Sequence, residues 1–371
     1  MRPADAGPDA PDAGARRLRA ALLRWYRAHR RDLPWRRTRD PYAIWISEAM
    51  LQQTRVETVI PYWERFLARF PTLEALADAP ADEVLGAWAG LGYYGRARNL
   101  QRAAREVVER FGGALPADAE ALQSLPGIGR YTAGAVASIA FDRPEPVVDG
   151  NVARVLARVL GVRDDVASPP VARRLWDEAA ALARGPSPGD LNQALMELGA
   201  TLCTPRAPRC GACPAARFCD ARAVGDAEAL PVKAAKRAPL AVEAVAALLL
   251  RDGRALAVRR PAAGLFGGLW DLPGGDLARG EAPAAGLARA LAERLGLRVE
   301  AAVPAGALDH ELTHRRLRLH LFRAAAPAGR VRRRFFDAHR WLAPDALAAL
   351  PCGALTARAL ATLGAGEASH H

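Results

Sequence analysis

Four of the five cysteines, Cys203, Cys210, Cys213 and Cys219, form a C-x6-C-x2-C-x5-C array within 17 residues. Thiolates crowded this closely point to one metal centre rather than to disulfides. Zinc and a 4Fe-4S cluster both accept four cysteines, so ligand type leaves both open. Zinc ribbons usually carry two CxxC knuckles, and one knuckle with longer arms favours iron and sulfur. Two carboxylates also stand out. Glu48 lies amid Ile44, Trp45, Ile46, Ala49, Met50 and Leu51. A carboxyl desolvated by such neighbours holds its proton and can serve as a general acid. Asp149 precedes Gly150-Asn151 and an amphipathic stretch, an N-cap position from which a carboxylate can also act on a substrate. Between them, LPGIGRYTAGA at 125–135 places Gly127 and Gly129 in a turn ahead of a helix. Such a turn leaves backbone N–H groups bare, and a phosphate can sit on them.

The elements that must position these groups are helices over 16–220. Apolar residues recur at helical spacing in IWISEAMLQQTRVETVI, RARNLQRAAREVVERF, NVARVLARVL and LNQALMELGATL. Pro71, Pro80, Gly112, Pro116 and Pro186 punctuate them. Residues 1–15, rich in Pro, Ala, Gly and Asp, read as a disordered leader, and 221–241 as a linker. Beyond the linker the period changes. VEAVAALLLRDGRALAVRR is a strand pair turning at Asp252-Gly253, ARALAERLG is a helix, and RLRLHLFRA alternates as a strand. The expected architecture is an all-α domain followed by an α+β domain over 242–365. Cys352 stands alone and reads as a core residue.

Net charge is +12, and only Lys233 and Lys236 among the basic residues are lysine. Residues 16–40 carry ten Arg against two Asp, and 315–340 carry nine Arg against one Asp. Two arginine patches, one in each half, fit a protein that closes on a polyanion. No apolar stretch approaches the roughly 20 residues of a membrane span, and the amino terminus lacks a signal-peptide core. A soluble, cytoplasmic monomer without membrane partners is expected.

Taken together, LPWR at 33–36, WISEAMLQQT at 45–54, GLGYYGRARNL at 90–100, LPGIGRYTAGA, VDGNVARVL, LNQALMELGA and the cysteine array resemble the adenine DNA glycosylase (MutY) family of helix-hairpin-helix base-excision enzymes. The resemblance implies a 4Fe-4S cluster on the four cysteines. It also implies a duplex DNA substrate in which adenine, mispaired with 8-oxoguanine or guanine, is flipped into a pocket. By the same resemblance Glu48 protonates the adenine ring and Asp149 stabilises the charge developing on the sugar, a division of labour like that of glycoside hydrolysis. Tyr131 and Asn151 support these two groups. Trp35, Arg36, Leu51 and Glu197 line the adenine pocket, and Gln53 and Tyr93 enter the base stack with Thr54 and Leu91 close by. Relatives that also nick the strand use a hairpin Lys to form a Schiff base. Here that slot is Tyr131, and residues 1–232 contain no Lys, so a monofunctional enzyme leaving an abasic site is expected. The family often carries a Lys two residues after Asn151, where this chain has Ala153.

The second domain carries a degraded hydrolase box. Against the Nudix pattern, Gly275, Glu281, Arg289, Leu291, Glu293, Gly296 and Leu297 fit, while two metal-binding glutamate positions hold Ala290 and Arg294. Without those carboxylates to hold Mg²⁺, the fold is expected to survive and pyrophosphate hydrolysis is not. This resembles the family's carboxy-terminal domain, which reads 8-oxoguanine. A Phe-Ser-His loop does so in the family, and the aligned residues here are Leu312, Thr313 and His314. Three other readings stand beside the lead: an endonuclease III type acting on oxidised pyrimidines, a Nudix hydrolase with a DNA-binding module, and a non-catalytic iron-sulfur DNA-binding protein. The missing Lys opposes the first and Ala290 and Arg294 the second, while the third has no need of Glu48 and Asp149 in their contexts.

Overall fold

The helical periodicity of the first half resolves into a succession of helices, several of them separated at a proline or glycine. The computed structural model describes residues 13–233, 239–264, 266–299, 301–312, 314–325 and 330–364. In chain order the helices of this half are α1 (Ala13–His29), α2 (Pro41–Leu51), α3 (Val56–Arg69), α4 (Leu73–Asp78), α5 (Ala81–Ala87), α6 (Gly95–Phe111), α7 (Ala119–Gln123), α8 (Arg130–Phe141), α9 (Gly150–Val159), α10 (Pro169–Ala183), α11 (Pro188–Thr201) and α12 (Asp220–Val224). Each punctuating residue noted in the sequence falls between two of them. The apolar run 44–60, which reads as continuous helix, is two helices. Gln53 takes a left-handed backbone (φ 60°) between α2 and α3.

Two compact units form: Met1–Asp78 with Asn99–Ala235, and Ala79–Arg98 with Lys236–His371. In the first, α1, α8, α9, α10 and α11 share a core around Leu22, Tyr26, Ala135, Val155, Leu156, Leu175, Leu195 and Leu198. Helix α2 is apolar almost all round and buried from Tyr42 to Met50, as a helix packed on every side must be. Asp40 starts it by accepting from the N–H groups of Tyr42 and Ala43.

The second unit is built on strands β1 (Leu240–Arg251), β2 (Arg254–Arg259), β3 (Trp270–Asp271), β4 (Gly274–Asp276), β5 (Val303–Leu312), β6 (Arg315–Ala325) and β7 (Ala338–Leu342), with helices α13 (Pro283–Leu295), α14 (Pro344–Ala348) and α15 (Ala354–Thr362). The sheet order is β3-β2-β1-β6-β5, with β4 also on β1 and β7 on β2. Strands β1 and β2 meet at Asp252 (φ 48°) and Gly253 (φ 70°), the paired positive φ angles of a tight hairpin turn. β1 is buried on both faces because its alternate residues serve two cores. Val245, Ala247 and Leu249 pack with Leu287, Leu291 and Leu295 of α13. Ala244, Ala246 and Leu248 pack with Leu355, Ala359 and Leu360 of α15. This is the α+β layering expected from the change of period.

The ends of the expected segments differ. The leader was expected to run to residue 15, but Ala13–Ala15 already belong to α1; residues 1–12 lie outside the described residues. Of the expected linker, α12 and residues up to 232 are folded chain. Leu230 is buried, with its carbonyl accepting from Arg158 Nε at 3.0 Å. Burying an apolar residue and holding its carbonyl fixes what composition alone marks as loose. Residues 234–238 lie outside the described residues, and β1 begins at Leu240.

Candidate active site

Glu48 is carried by the buried α2 and is itself only 5% exposed. Its Oε2 accepts from the Tyr131 hydroxyl at 2.9 Å, and the same hydroxyl lies 3.2 Å from Met196 Sδ. Burial pushes the Glu48 carboxyl up to about 7; the Tyr131 hydrogen bond opposes this and the Asp149 charge adds to it. Such a group is an acid poised near neutral pH.

Asp149 is the N-cap of α9. Its Oδ1 accepts from Val152 N at 2.7 Å and its Oδ2 from Asn151 Nδ2 at 3.2 Å. Burial raises its pKa, while these N–H groups pull the other way and favour the anion. Asn151 is held in turn: its Oδ1 accepts from Arg154 Nη2 at 2.9 Å. Arg154 also donates to Cys203 O at 2.7 Å and Gly199 O at 2.7 Å. One guanidinium thus ties the start of α9 to the end of α11 and to the first cysteine. Close helix approach makes this possible, since a Cβ on Gly199 would lie 2.6 Å from Asn151 Cβ.

One cavity of about 520 Å³ is lined by Trp35, Arg36, Glu48, Leu51, Gln53, Thr54, Tyr131, Asp149, Asn151 and Glu197, a size that suits one small planar ligand. Glu197, fully buried, receives a fork from Arg31 (Nε–Oε1 2.8 Å, Nη2–Oε2 2.9 Å) and a bond from Arg36 (Nη2–Oε2 2.8 Å). Burial works against its charge, yet the two arginines hold the carboxyl down at about 2. The cavity therefore presents one acid near neutrality, one capped carboxylate and one permanently ionised carboxylate. Arg31, Gln52, Met196 and Arg154 went unnoticed in the sequence. Arg154 alone left a local signal, one helical turn after Asn151.

The remaining expected residues sit elsewhere. Gly127 (φ +78°) needs its missing side chain, because a Cβ there would lie 2.6 Å from Asn99 Cβ. Gly129 caps α8 with no side-chain bond, leaving the first-turn N–H groups uncapped by any side chain. Leu91 and Tyr93 belong to the second unit, with Leu91 buried and Tyr93 exposed at φ 49°. Thr313 lies outside the described residues. His314 is exposed, its carbonyl accepting from Leu240 N at 3.0 Å.

Cys203, Cys210, Cys213 and Cys219 line one cavity of the first unit. Arg158, buried at 1% exposure, donates from Nη1 to Cys203 Sγ at 3.3 Å and to Thr204 O at 2.8 Å. Burial pushes the Cys213 thiol up to about 11, and the three neighbouring sulfurs act in the same direction. Among the described residues no three His, Cys, Asp or Glu side chains stand at metal-ligand geometry. Four soft donors around one cavity, beside a buried cation, nonetheless suit an anionic iron-sulfur centre in chemical character.

In the second unit, Ala290 is buried in the core and Arg294 donates to Gly274 O at 3.2 Å while lying over the Phe335 ring. Of the two acids retained from the box, Glu281 takes a two-pronged bond from Arg289 at 2.7 Å and Glu293 a single one at 3.0 Å. The second basic patch is also weaker than its count. Arg316 and Arg318 pair with Glu311 and Asp309 across the β5–β6 ladder at 3.6 Å, so acids outside the 315–340 window offset part of it.

Comparison with known proteins adds the family. A model of HhH-GPD superfamily base excision DNA repair proteins matches residues 46–180, and a NUDIX domain model matches 244–362. The chain is 43% identical to the adenine DNA glycosylase of Homo sapiens over 310 residues, 69% of this chain and 57% of the human protein. It is 53% identical to that of Mus musculus over 213 residues, 55% of this chain and 41% of the mouse protein. The chain thus spans about half the length of these curated relatives. Among solved structures, a thermostable thymine-DNA glycosylase aligns at 31% identity and TM-score 0.52, over 58% of this chain and all of its own. No helix among the described residues is long and apolar enough to cross a membrane. With the helical hairpin, Glu48 and Asp149 inside the first match and most of the β1–β7 sheet inside the second, the chain belongs to the HhH-GPD superfamily of base excision DNA repair proteins, is a homologue of the adenine DNA glycosylases, and carries a NUDIX domain after its helical one in sequence.

Proposed function

We propose that the protein is a monofunctional DNA glycosylase that hydrolyses the N-glycosidic bond of adenine mispaired with 8-oxoguanine or guanine and leaves an abasic site. The observation that carries this reading is a buried acid with a pKa of about 7, Glu48, sharing one cavity with the capped carboxylate Asp149. The flipped adenine occupies that cavity beside Trp35, Leu51 and the Arg31–Glu197–Arg36 array. Glu48 gives its proton to the base as the bond to the sugar breaks. Asp149, kept anionic by Val152 N–H and Asn151, faces the positive charge developing on the sugar. Gln53, Thr54, Leu91 and Tyr93 act on the stack around the lesion, the hairpin at Gly127 and Gly129 takes a backbone phosphate, and the His314 turn reads the base opposite.

Cys203, Cys210, Cys213 and Cys219 would hold a 4Fe-4S cluster. Bound by these four thiolates, the cluster would cross-link the 203–219 segment. Residues 1–232 supply no side-chain amine for a Schiff base, which is why strand scission is not proposed. The second domain recognises the lesion rather than hydrolysing nucleotides, since both remaining acids of its box are taken by Arg289.

The test is single-turnover excision on duplexes bearing A opposite 8-oxoguanine, A opposite T, T opposite G, and thymine glycol. The proposal requires release of adenine from the first at least tenfold faster than from the second, with strand breakage only after alkali. Preference for the third or fourth duplex, or breakage without alkali, overturns it.

A further inference from the structure

The turn that carries Tyr93 has an unusual backbone, and Arg96 binds three of its carbonyls. Gly90, Gly92 and Tyr93 all take positive φ (100°, 72° and 49°). Glycine does so freely, but a tyrosine does so only where its surroundings impose it. Those surroundings converge on Arg96, in the first turn of α6. Its backbone N–H donates to Tyr93 O at 2.9 Å, and its Nη2 donates to Leu91 O at 3.2 Å and Gly92 O at 3.0 Å. Three consecutive carbonyls are thereby gathered by one residue. The guanidinium plane also lies 5.2 Å from the Trp88 ring centroid and 5.7 Å from that of Tyr93, within cation–π reach of both. Trp88 Nε1 donates to the same Gly92 carbonyl at 3.2 Å. Tyr93 is nevertheless 49% exposed: the arginine clamps the backbone beneath the ring and one side of the ring itself, leaving the rest in the open.

We propose that Arg96 is a positioning residue that fixes Tyr93 in its left-handed, outward-presented conformation and thereby sets how well the protein tells a mispair from a normal pair. The inference rests on the reading that Tyr93 enters the base stack. An aromatic wedge ordered before binding costs less to insert than one that must be ordered on the DNA. A lysine cannot substitute: its compact ammonium could reach the two carbonyls that Nη2 binds, but it has no planar cation to lie against the Trp88 and Tyr93 rings at the same time.

The test is a double-mutant cycle with Tyr93→Ala, Arg96→Met and the double variant, each in a Glu48→Gln background so that the duplex persists. Affinity is measured for A opposite 8-oxoguanine against A opposite T. Tyr93→Ala is expected to lower discrimination roughly tenfold and Arg96→Met by a similar factor, with the double variant no worse than either. Arg96→Lys is expected to behave like Arg96→Met. Amide hydrogen exchange, read alongside, is expected to quicken over residues 90–95 in Arg96→Met while α2, α8 and α9 keep their protection. Unchanged exchange over 90–95, multiplicative losses in the double variant, or general loss of protection overturns the proposal. Faster exchange over 90–95 with Tyr93→Ala discriminating like the parent overturns instead the reading of Tyr93, and with it Arg96's part in discrimination.

Discussion

The Tyr131 hydroxyl donates to Glu48 Oε2 at 2.9 Å, and this bond acts against the burial that raises the carboxyl. A donor to a carboxylate favours the charged form, so it lowers a pKa that desolvation has pushed to about 7. Excision by protonated Glu48 is expected to fall as pH rises through about 7. In Tyr131→Phe the donor is gone, and that alkaline limb should move to higher pH even if the maximal rate drops. Single-turnover rates across pH 5.5–9 check this; a limb that moves to lower pH refutes the assignment.

Glu48→Gln removes the proton donor and should cost excision about a hundredfold or more while duplex binding survives. It also removes a linkage. The folded-state pKa of Glu48 lies above its usual 4.5, so its contribution to stability is present below pH 4.5 and lost as pH rises through about 7. The variant should therefore gain on the parent across that interval, by on the order of 3 kcal/mol at pH 8. Urea unfolding at pH 4.5 and pH 8 measures the difference, and equal gains at both would contradict it.

Glu197 has the opposite sign. Its pKa is held at about 2 by Arg31 and Arg36, so its pairing stabilises above pH 4.5 and is lost as pH falls toward 2. Arg36→Ala leaves a fully buried carboxylate with Arg31 alone, and should destabilise by roughly 2–4 kcal/mol at pH 7. The loss should shrink at pH 3. Calorimetric melting at the two pH values distinguishes this from mere loss of packing, which would be insensitive to pH.

Gly127→Ala meets two obstacles, a φ of +78° and Asn99 Cβ at 2.6 Å from the new methyl. A loss of about 1–3 kcal/mol is expected. If the hairpin holds phosphate rather than bases, as proposed, affinity should fall alike for matched and mispaired duplexes. A change confined to the mispair would place the hairpin in lesion reading instead.

The second domain is expected to release no pyrophosphate from 8-oxo-dGTP with Mg²⁺. Ala290 is core and Arg294 donates to the Gly274 carbonyl. Turnover above background, abolished by Glu281→Gln, would show that the box still works.

What the sequence revealed follows from how far apart the interacting residues lie. The cysteine array is legible because its spacing is local, and Glu48 because its apolar neighbours are adjacent in the chain. The Asp252-Gly253 turn and the change of period mark the sheet-bearing part of the second unit for the same reason, but not residues 79–98, which the sequence groups with the helical domain. Arg31 was missed because its partner, Glu197, is 166 residues away and nothing near either residue announces the other. The arginine-rich 315–340 stretch overstates its charge because Asp309 and Glu311 pair with Arg318 and Arg316 across a hairpin. Gln53 breaks an apolar run by backbone conformation alone, which periodicity does not register.

Gly199 shows how a site can depend on an atom that is missing. It has no side chain to touch a substrate, yet it sets the spacing between α11, which brings Met196 and Glu197 to the cavity, and the helix start that holds Asp149. Any larger residue would put a Cβ 2.6 Å from Asn151 Cβ, so these walls would have to move apart. The set of positions at which a substitution silences the protein therefore reaches beyond the cavity lining, and a variant at 199 would fail with every chemical group in place.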